Sequence, residues 1–168
     1  MIREFYKDKV LLMTGCTGFV GKVVLEKIMR CCPEFKRIYL LVRPKRGTAP
    51  MDRIWKDIFS SECFSRLKEL PDFQETVKNK IFPIEGDIKK DLLAIRPADR
   101  DMLMRDLNVI INIAASIDFN EQITDALQIN YFGCMRMLDL ASACPNLVIY
   151  THVSTCYVNC EKFGFIKE

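Results

Sequence analysis

The chain has 168 residues, a length that suits one domain with a sizeable buried core. Hydrophobic residues make up 49% and charged residues 28%, and a net charge of +3 is too small to indicate nucleic acid as a partner. With one histidine and no Cys-x-x-Cys pair, the eight cysteines do not predict a metal site, so we expect reduced thiols in a cytosol-facing compartment.

The first predicted element is a buried strand at residues 9–14, which runs directly into a glycine-rich turn. The turn has glycines spaced three apart, and a helical pattern at residues 18–30 follows it. This context favours a phosphate-binding turn over glycines that serve only a bend, because the helix N-terminus would present free N–H groups to a pyrophosphate. The predicted cofactor-binding residues of this turn are Thr14, Gly15, Thr17, Gly18, Phe19 and Gly21.

The second strand, at residues 38–42, ends in a basic loop. NAD-binding enzymes usually have Asp or Glu at this point to hold the ribose 2′-hydroxyl, whereas this chain has Arg43, with Lys45 close behind. A guanidinium suits a 2′-phosphate, which it can bind through two hydrogen bonds. The loop therefore favours NADP over NAD, although a solvated basic loop with no ligand is the alternative.

The remaining elements continue the alternation of helices and strands. Residues 51–80 are predicted to be helical but broken, and the third strand, at 81–85, ends at Asp87, which either contacts the adenine or caps a turn. A helix at 99–107 precedes the fourth strand at 109–113. A long helix at 124–144, with its predicted core residues at helical spacing, precedes the fifth strand at 147–153. Those core residues are Leu127, Tyr131, Met135 and Leu138.

Strands that alternate with helices predict right-handed β-α-β units and a parallel sheet. Five strands with a glycine turn after the first fit a Rossmann-type doubly wound α/β fold, which normally has six or more strands. No run of about 18 apolar residues occurs, so no membrane-spanning helix is predicted. We therefore expect a single NADP-binding Rossmann domain over residues 1–168, truncated after the fifth strand.

Four motifs in the same order resemble the alcohol-forming fatty acyl-CoA reductases of the extended short-chain dehydrogenase/reductase family. The first is T-G-x-x-G-F-x-G-K from Thr14, and the second is I-Y-x-L-x-R-P-K from Ile38. The third is P-I-x-G-D from Pro83, and the fourth is H-V-S-T-x-Y-x-N from His152. The similarity runs from residue 5 to residue 160 and implies NADPH-dependent reduction of a long-chain acyl-CoA to a fatty alcohol.

The resemblance also implies roles for particular residues. The segment after the fourth strand, residues 112–116 with Asn112, Ala114 and Ala115, would touch the nicotinamide half of the cofactor, and Asn130 would support the active site. Thr155, or less favourably Ser154, would polarise the substrate carbonyl. The structural alternatives are that Asn130 bonds to neighbouring helix backbone and that Ser154 and Thr155 only cap a turn. His152, among apolar neighbours, is expected to be a core histidine without a chemical role.

Reductases of this family need a tyrosine followed four residues later by a lysine, and no tyrosine of this chain has that partner. We therefore expect the chain to be a fragment or truncated product, inactive alone, with the pair, the substrate-binding region and any membrane attachment beyond residue 168. The resemblance implies a location at the endoplasmic reticulum or peroxisomal membrane. Two alternatives are another extended short-chain reductase, acting on a carrier-bound thioester or nucleotide sugar, and a non-catalytic NADP-binding protein. The oligomeric state is left open.

Overall fold

A computed structural model describes residues 1–155 and 161–166 of the chain. The five predicted strands all form and pair in parallel as one sheet with the order β3-β2-β1-β4-β5. The strands are β1 (Val10–Met13), β2 (Arg37–Val42), β3 (Ile81–Glu85), β4 (Val109–Asn112) and β5 (Ile149–His152). This order confirms the Rossmann-type doubly wound fold. Successive strands are added toward one edge from β1 to β3 and toward the other edge from β4 on, and such sheets bind ligands at this switch between β1 and β4.

Helices cover both faces of the sheet. Successive side chains of a strand point to opposite faces, so Leu11 and Leu12 of β1 belong to two different hydrophobic clusters. The α-helices are α1 (Ile2–Tyr6), α2 (Phe19–Cys31), α3 (Pro50–Arg53), α4 (Ser65–Lys68), α5 (Phe73–Lys80), α6 (Pro97–Asp106), α7 (Ile123–Asn130) and α8 (Phe132–Ser142).

The crossover between β2 and β3 is broken, as predicted, into short helical pieces. Between α3 and α5 lie a π-helical segment at Ile54–Phe59, a 3-10 turn at Glu62–Phe64 and α4. Ile54, Ile58, Phe59 and Phe64 are buried and fill the core on one face of the sheet. A second 3-10 turn, Asp91–Ala94, follows β3 and was not predicted.

The prediction of one helix over residues 124–144 is wrong, because the helix breaks at Tyr131, where φ is −108° and ψ is −68°. The break coincides with two close contacts. Asn130 reaches across to Ser116, and Gly133 packs so closely on Ile88 that an added Cβ would lie 3.3 Å from the Ile88 side chain.

The predicted core face of this region is also wrong. Leu127, Tyr131, Met135 and Leu138 retain 43%, 55%, 42% and 39% of their exposure, while Met137 and Leu140 are buried instead. Helix α8 packs on β4 through a face rotated from the predicted one. His152 is exposed as well, so it is not a core histidine; β5 is the last strand of the sheet at that edge, and its residues are mostly exposed.

The described cysteines are free thiols: Cys16, Cys31, Cys32, Cys63, Cys134 and Cys144. Across the part of the chain that the structure describes, no helix is both long and apolar enough to cross a membrane.

Candidate functional site

The turn between β1 and α2 lies against the segment that follows β4. Gly15 has a φ of +72°, a backbone conformation that residues with a side chain rarely adopt. A Cβ at this position would lie 2.7 Å from the Ala114 backbone nitrogen. A Cβ on Gly21 would lie 2.3 Å from the Gly15 carbonyl oxygen. These glycines let the turn, the helix and the β4 segment approach one another more closely than any other residue would allow.

The open side of this turn is the start of α2. Gly18 is the N-cap, with no capping side chain, and the first helical hydrogen bond runs from the Lys22 N–H to the Gly18 carbonyl. The N–H groups of the first turn are therefore without helical acceptors, which suits an anion. Thr17 and Phe19 are exposed at this point, and Phe19 retains 82% of its exposure. The phosphate-binding turn that the glycine pattern predicts is thus present. We call it the glycine cradle (residues 14–21), and its geometry fits a pyrophosphate.

Thr14 does not face that cradle. It is 1% exposed, and its hydroxyl donates to Asn112 Oδ1 at 2.6 Å. The same oxygen accepts hydrogen bonds from the Ile113 and Ala114 backbone N–H groups, both at 3.0 Å. The Thr14 side chain therefore binds the end of β1 to the segment after β4. Because the Thr14 N–H donates to the Ile111 carbonyl at 3.1 Å, only the Thr14 carbonyl is left for the predicted cofactor contact.

The basic loop after β2 is held by a residue that the sequence analysis missed. Arg53, at the end of α3, donates through Nη1 to the Arg43 carbonyl and through Nε and Nη2 to Asp57, both at 3.1 Å. Arg43 and Lys45 are exposed. Arg53 therefore fixes the backbone at Arg43 while the Arg43 side chain stays open to solvent. The sequence signal was the Arg-Asp pair at i and i+4.

Asp87 lies beside that loop, because β2 and β3 are in register with Val42 opposite Glu85. Its Oδ1 accepts the Lys89 backbone N–H at 2.9 Å, which is the turn alternative named above. Lys89 in turn binds Asp125 at 2.7 Å, and this hydrogen bond raises the pKa of the lysine. The turn contact uses one carboxylate oxygen, and a contact with adenine stays a prediction.

Asn130 forms a reciprocal pair with the segment after β4. Its Oδ1 accepts the Ser116 N–H at 2.8 Å, and its Nδ2 donates to the Ser116 carbonyl at 3.0 Å. These two hydrogen bonds thus cross to the segment after β4 rather than to neighbouring helix backbone. Ala114 is half-buried and Ala115 exposed within the segment that this pair holds.

Ser154 and Thr155 follow β5 and are exposed. Asn112 pairs with His152, and the Val153 N–H donates to the Asn112 carbonyl at 2.9 Å. Ser154 and Thr155 therefore leave the sheet at the edge where β4 ends. The carboxyl ends of parallel strands share one edge, and the fold therefore brings these hydroxyls to the same side as the glycine turn and Ala114. Tyr157 and Asn159 of the fourth motif lie outside the described residues.

Comparison with known proteins gives concordant matches. The family model described as male sterility protein, an NAD-binding family, matches residues 13–168. Fatty acyl-CoA reductase 1 of Mus musculus is 41% identical over 162 residues, which is 96% of this chain and 30% of that protein. Probable fatty acyl-CoA reductase 5 of Arabidopsis thaliana is 36% identical over 98% of this chain and 34% of its own length. The chain thus spans about a third of the length of these relatives.

Two solved structures extend the comparison. The terminal R domain of the myxalamid PKS-NRPS biosynthetic pathway superposes with a TM-score of 0.74 at 28% identity, over 90% of this chain and 36% of that one. The reductase domain of a nonribosomal peptide synthetase from Mycobacterium tuberculosis has a TM-score of 0.71 at 21% identity, over 92% and 35%. The second similarity supports the fold alone.

Proposed function

The chain belongs to the male sterility protein family of NAD-binding domains, and from that premise we propose that it binds NADPH in a long-chain fatty acyl-CoA reductase. The observation that carries the proposal is the glycine cradle. It lies against the segment after β4, at the point where the order of successive strands reverses. Family membership gives a nicotinamide cofactor and an oxidoreductase, while the phosphorylated cofactor and the substrate are our proposals.

The preference for NADPH rests on Arg43 and Lys45. Both are exposed at the end of β2, where the ribose of a dinucleotide lies in a fold of this type. The Arg43 guanidinium is a bidentate partner for a 2′-phosphate, and Arg53 holds the backbone from which it projects. The N–H groups at the start of α2, with Gly15 and Gly18 before them, would hold the pyrophosphate, and Asp87 the adenine.

The proposed reduction of an acyl-CoA takes place in two steps. The hydride for each step would come from NADPH held by the glycine turn and Arg43. The first step breaks the thioester C–S bond and releases coenzyme A and an aldehyde, and the second adds hydride and a proton to give a primary alcohol. Each step consumes one NADPH and one proton.

The residues of this chain would act on the carbonyl. We assign Thr155 as the hydroxyl that donates to the carbonyl oxygen as negative charge develops there, with Ser154 the less favoured donor. Asn130, through its two hydrogen bonds to Ser116, would keep the segment with Ala114 and Ala115 in place at the nicotinamide end. A proton donor of the Tyr-x-x-x-Lys type is not present in the 168 residues, so tests need the full-length natural protein.

The direct test supplies the full-length protein with NADPH and hexadecanoyl-CoA and measures aldehyde, alcohol and free coenzyme A. We expect alcohol and coenzyme A in equal amounts, with two NADPH consumed for each. Thr155→Ala is expected to lower kcat by about a hundredfold, as loss of an oxyanion donor does, with NADPH affinity unchanged, and Thr155→Ser to recover much of it. NADPH binding without any turnover would support the non-catalytic alternative instead.

A second substrate class has a specific observation in its favour, namely the 28% identity to the R domain of the myxalamid pathway. Under this alternative the thioester is tethered to a carrier protein rather than to coenzyme A. The same assay with hexadecanoyl-carrier protein decides between them, since we expect at least tenfold higher kcat/KM for the coenzyme A ester if the free acyl-CoA is the substrate.

The proposed location in the cell is based on the substrate class and not on the structure. We propose that the full-length protein works at the cytosolic face of the endoplasmic reticulum or peroxisome, where long-chain acyl-CoA and fatty alcohol meet a membrane. Microscopy of the tagged full-length protein with markers for both organelles tests this, and a diffuse signal would contradict it.

A further inference from the structure

One buried polar network lies directly beneath the candidate site. Among the described residues, three polar or charged side chains are buried, namely Thr14, Glu26 and Asn112. Two of them, Thr14 and Asn112, bond to each other. Asn112 is 1% exposed at the end of β4, in a run of apolar residues, and the proposed mechanism assigns its side chain no role.

The oxygen side of the Asn112 amide is fixed by Thr14. A hydroxyl has one hydrogen and two acceptor positions, and the Ile113 and Ala114 N–H groups use both acceptor positions of Thr14. The Thr14 hydrogen must therefore go to Asn112 Oδ1, which lies 2.6 Å away. This chemistry determines which end of the amide faces β1, and the nitrogen end must then face β5.

The nitrogen side meets two side chains of β5 and one of α8. Nδ2 lies 3.3 Å from Tyr150 Oη, 3.3 Å from His152 Nδ1 and 3.6 Å from Cys134 Sγ. Each of these atoms can accept a hydrogen bond from the amide, and His152 does so in the tautomer that carries its hydrogen on Nε2. Burial raises the pKa values of the Tyr150 phenol and the Cys134 thiol, so both stay protonated.

We propose that Asn112 is a positioning residue for the nicotinamide end of the cofactor site. Through Thr14 it joins the glycine turn to the segment of Ala114, and through its Nδ2 it joins both to β5, from which Ser154 and Thr155 extend. Loss of the amide would let the cradle and the carbonyl-polarising hydroxyl move independently. This inference rests on the proposed cofactor site.

A purely packing role makes the opposite prediction for two substitutions. Asn112→Leu keeps the branched shape and supplies an apolar side chain of somewhat larger volume to the apolar surroundings, but it leaves the buried Thr14 hydroxyl without its acceptor. Asn112→Asp keeps that acceptor, and its second oxygen meets groups that can turn into donors: the Tyr150 hydroxyl, the Cys134 thiol and the Nδ1–H tautomer of His152. Positioning therefore predicts that Asp is tolerated better than Leu, and packing predicts the reverse.

The experiment measures NADPH dissociation constants of the full-length protein by nicotinamide fluorescence, together with the melting temperature of each variant. Asn112→Leu is expected to weaken binding by about tenfold or more, and Asn112→Asp by about threefold or less. Cys144→Ala removes a buried thiol whose hydrogen bonds go to the Leu103 and Leu140 carbonyls, outside the network, and it is the matched control with affinity within about twofold of wild type. Binding by the Leu variant that equals wild type, or exceeds that of the Asp variant, overturns the proposal.

Thr14 supplies a second measurement that does not depend on the folding of the Leu variant. Thr14→Val keeps the shape but removes the hydroxyl, and it is expected to weaken NADPH binding by about tenfold, while Thr14→Ser stays within about threefold. If Val binds as Ser does, the network does not position the turn. If wild type binds no NADPH, the proposed function fails. If wild type binds NADPH and the Asn112 and Thr14 variants bind it equally well, only this inference is refuted.

Discussion

The inner strands of the sheet and its β5 side reach different degrees of burial. Every residue of β1 and β4 is buried, whereas β5 has three exposed residues and one half-buried residue. Helix α2 packs Leu25, Ile28 and Met29 into the core, but α7 has no buried residue. A hydrophobic pattern therefore shows which face can be buried, and the packing partner decides whether it is.

A matched pair of leucines on α8 sharpens this comparison. Leu140 is fully buried, so Leu140→Ala should lower the free energy of unfolding by about 2–5 kcal/mol. Leu138 retains 39% of its exposure, and Leu138→Ala should cost less than about 1 kcal/mol. Urea denaturation of both variants measures the difference. Similar losses for the two would mean that the face with Leu138 is also buried in solution.

Two glycines with the same φ of +72° separate conformational strain from close packing. Gly47→Ala has nothing within 4 Å of the new Cβ, so it should cost only about 1–2 kcal/mol of left-handed strain. Gly15→Ala has the same strain and also meets the Ala114 backbone nitrogen at 2.7 Å, so it should cost more and weaken NADPH binding as well. Denaturation and cofactor titration check both; equal effects would show that the glycine turn does not need its contact with β4.

The buried thiol of the glycine turn, Cys16, should also impose a pH dependence on stability. Burial raises the pKa of the Cys16 thiol to about 12 in the folded protein, whereas the unfolded thiol ionises near its ordinary value of about 9. Because the folded value is higher, the stabilisation is complete below about pH 9 and is lost as the pH rises toward 12. Unfolding free energy should fall by about 1 kcal/mol between pH 8 and 10 from this group. In Cys16→Ala, the urea midpoint should fall less steeply between pH 8 and 10 than in wild type. The same dependence of the midpoint on pH in both proteins would contradict this prediction.

The sequence was sufficient for the fold where local chemistry decides the structure. Apolar runs and the glycine spacing located all five strands and the turn after β1, because buried parallel strands and left-handed glycines leave local signatures. The roles of Arg43, Asn130 and Asp87 at the site stay predictions from motifs, and the structure adds their contacts: Arg53 with the Arg43 carbonyl, Ser116 with Asn130 and the Lys89 amide with Asp87.

The errors occurred where tertiary contacts decide. The exposed face of α7 and α8 has the same spacing as a core face, so periodicity alone could not distinguish them. The break at Tyr131 and the role of Asn112 depend on residues far apart in the chain; Asn112 and Thr14 are 98 residues apart. An asparagine inside an apolar strand was the available signal for this network, since a buried amide needs partners on both ends.

The most direct test of the cofactor assignment is a pair of titrations, NADPH and NADH, on the full-length protein and on Arg43→Ala. We expect wild type to bind NADPH about ten- to a hundredfold more tightly than NADH, because the guanidinium pairs with the 2′-phosphate. Arg43→Ala should remove that preference and leave the NADH dissociation constant within about threefold of wild type. Equal affinities in wild type, or a substitution that weakens both cofactors alike, would contradict the account.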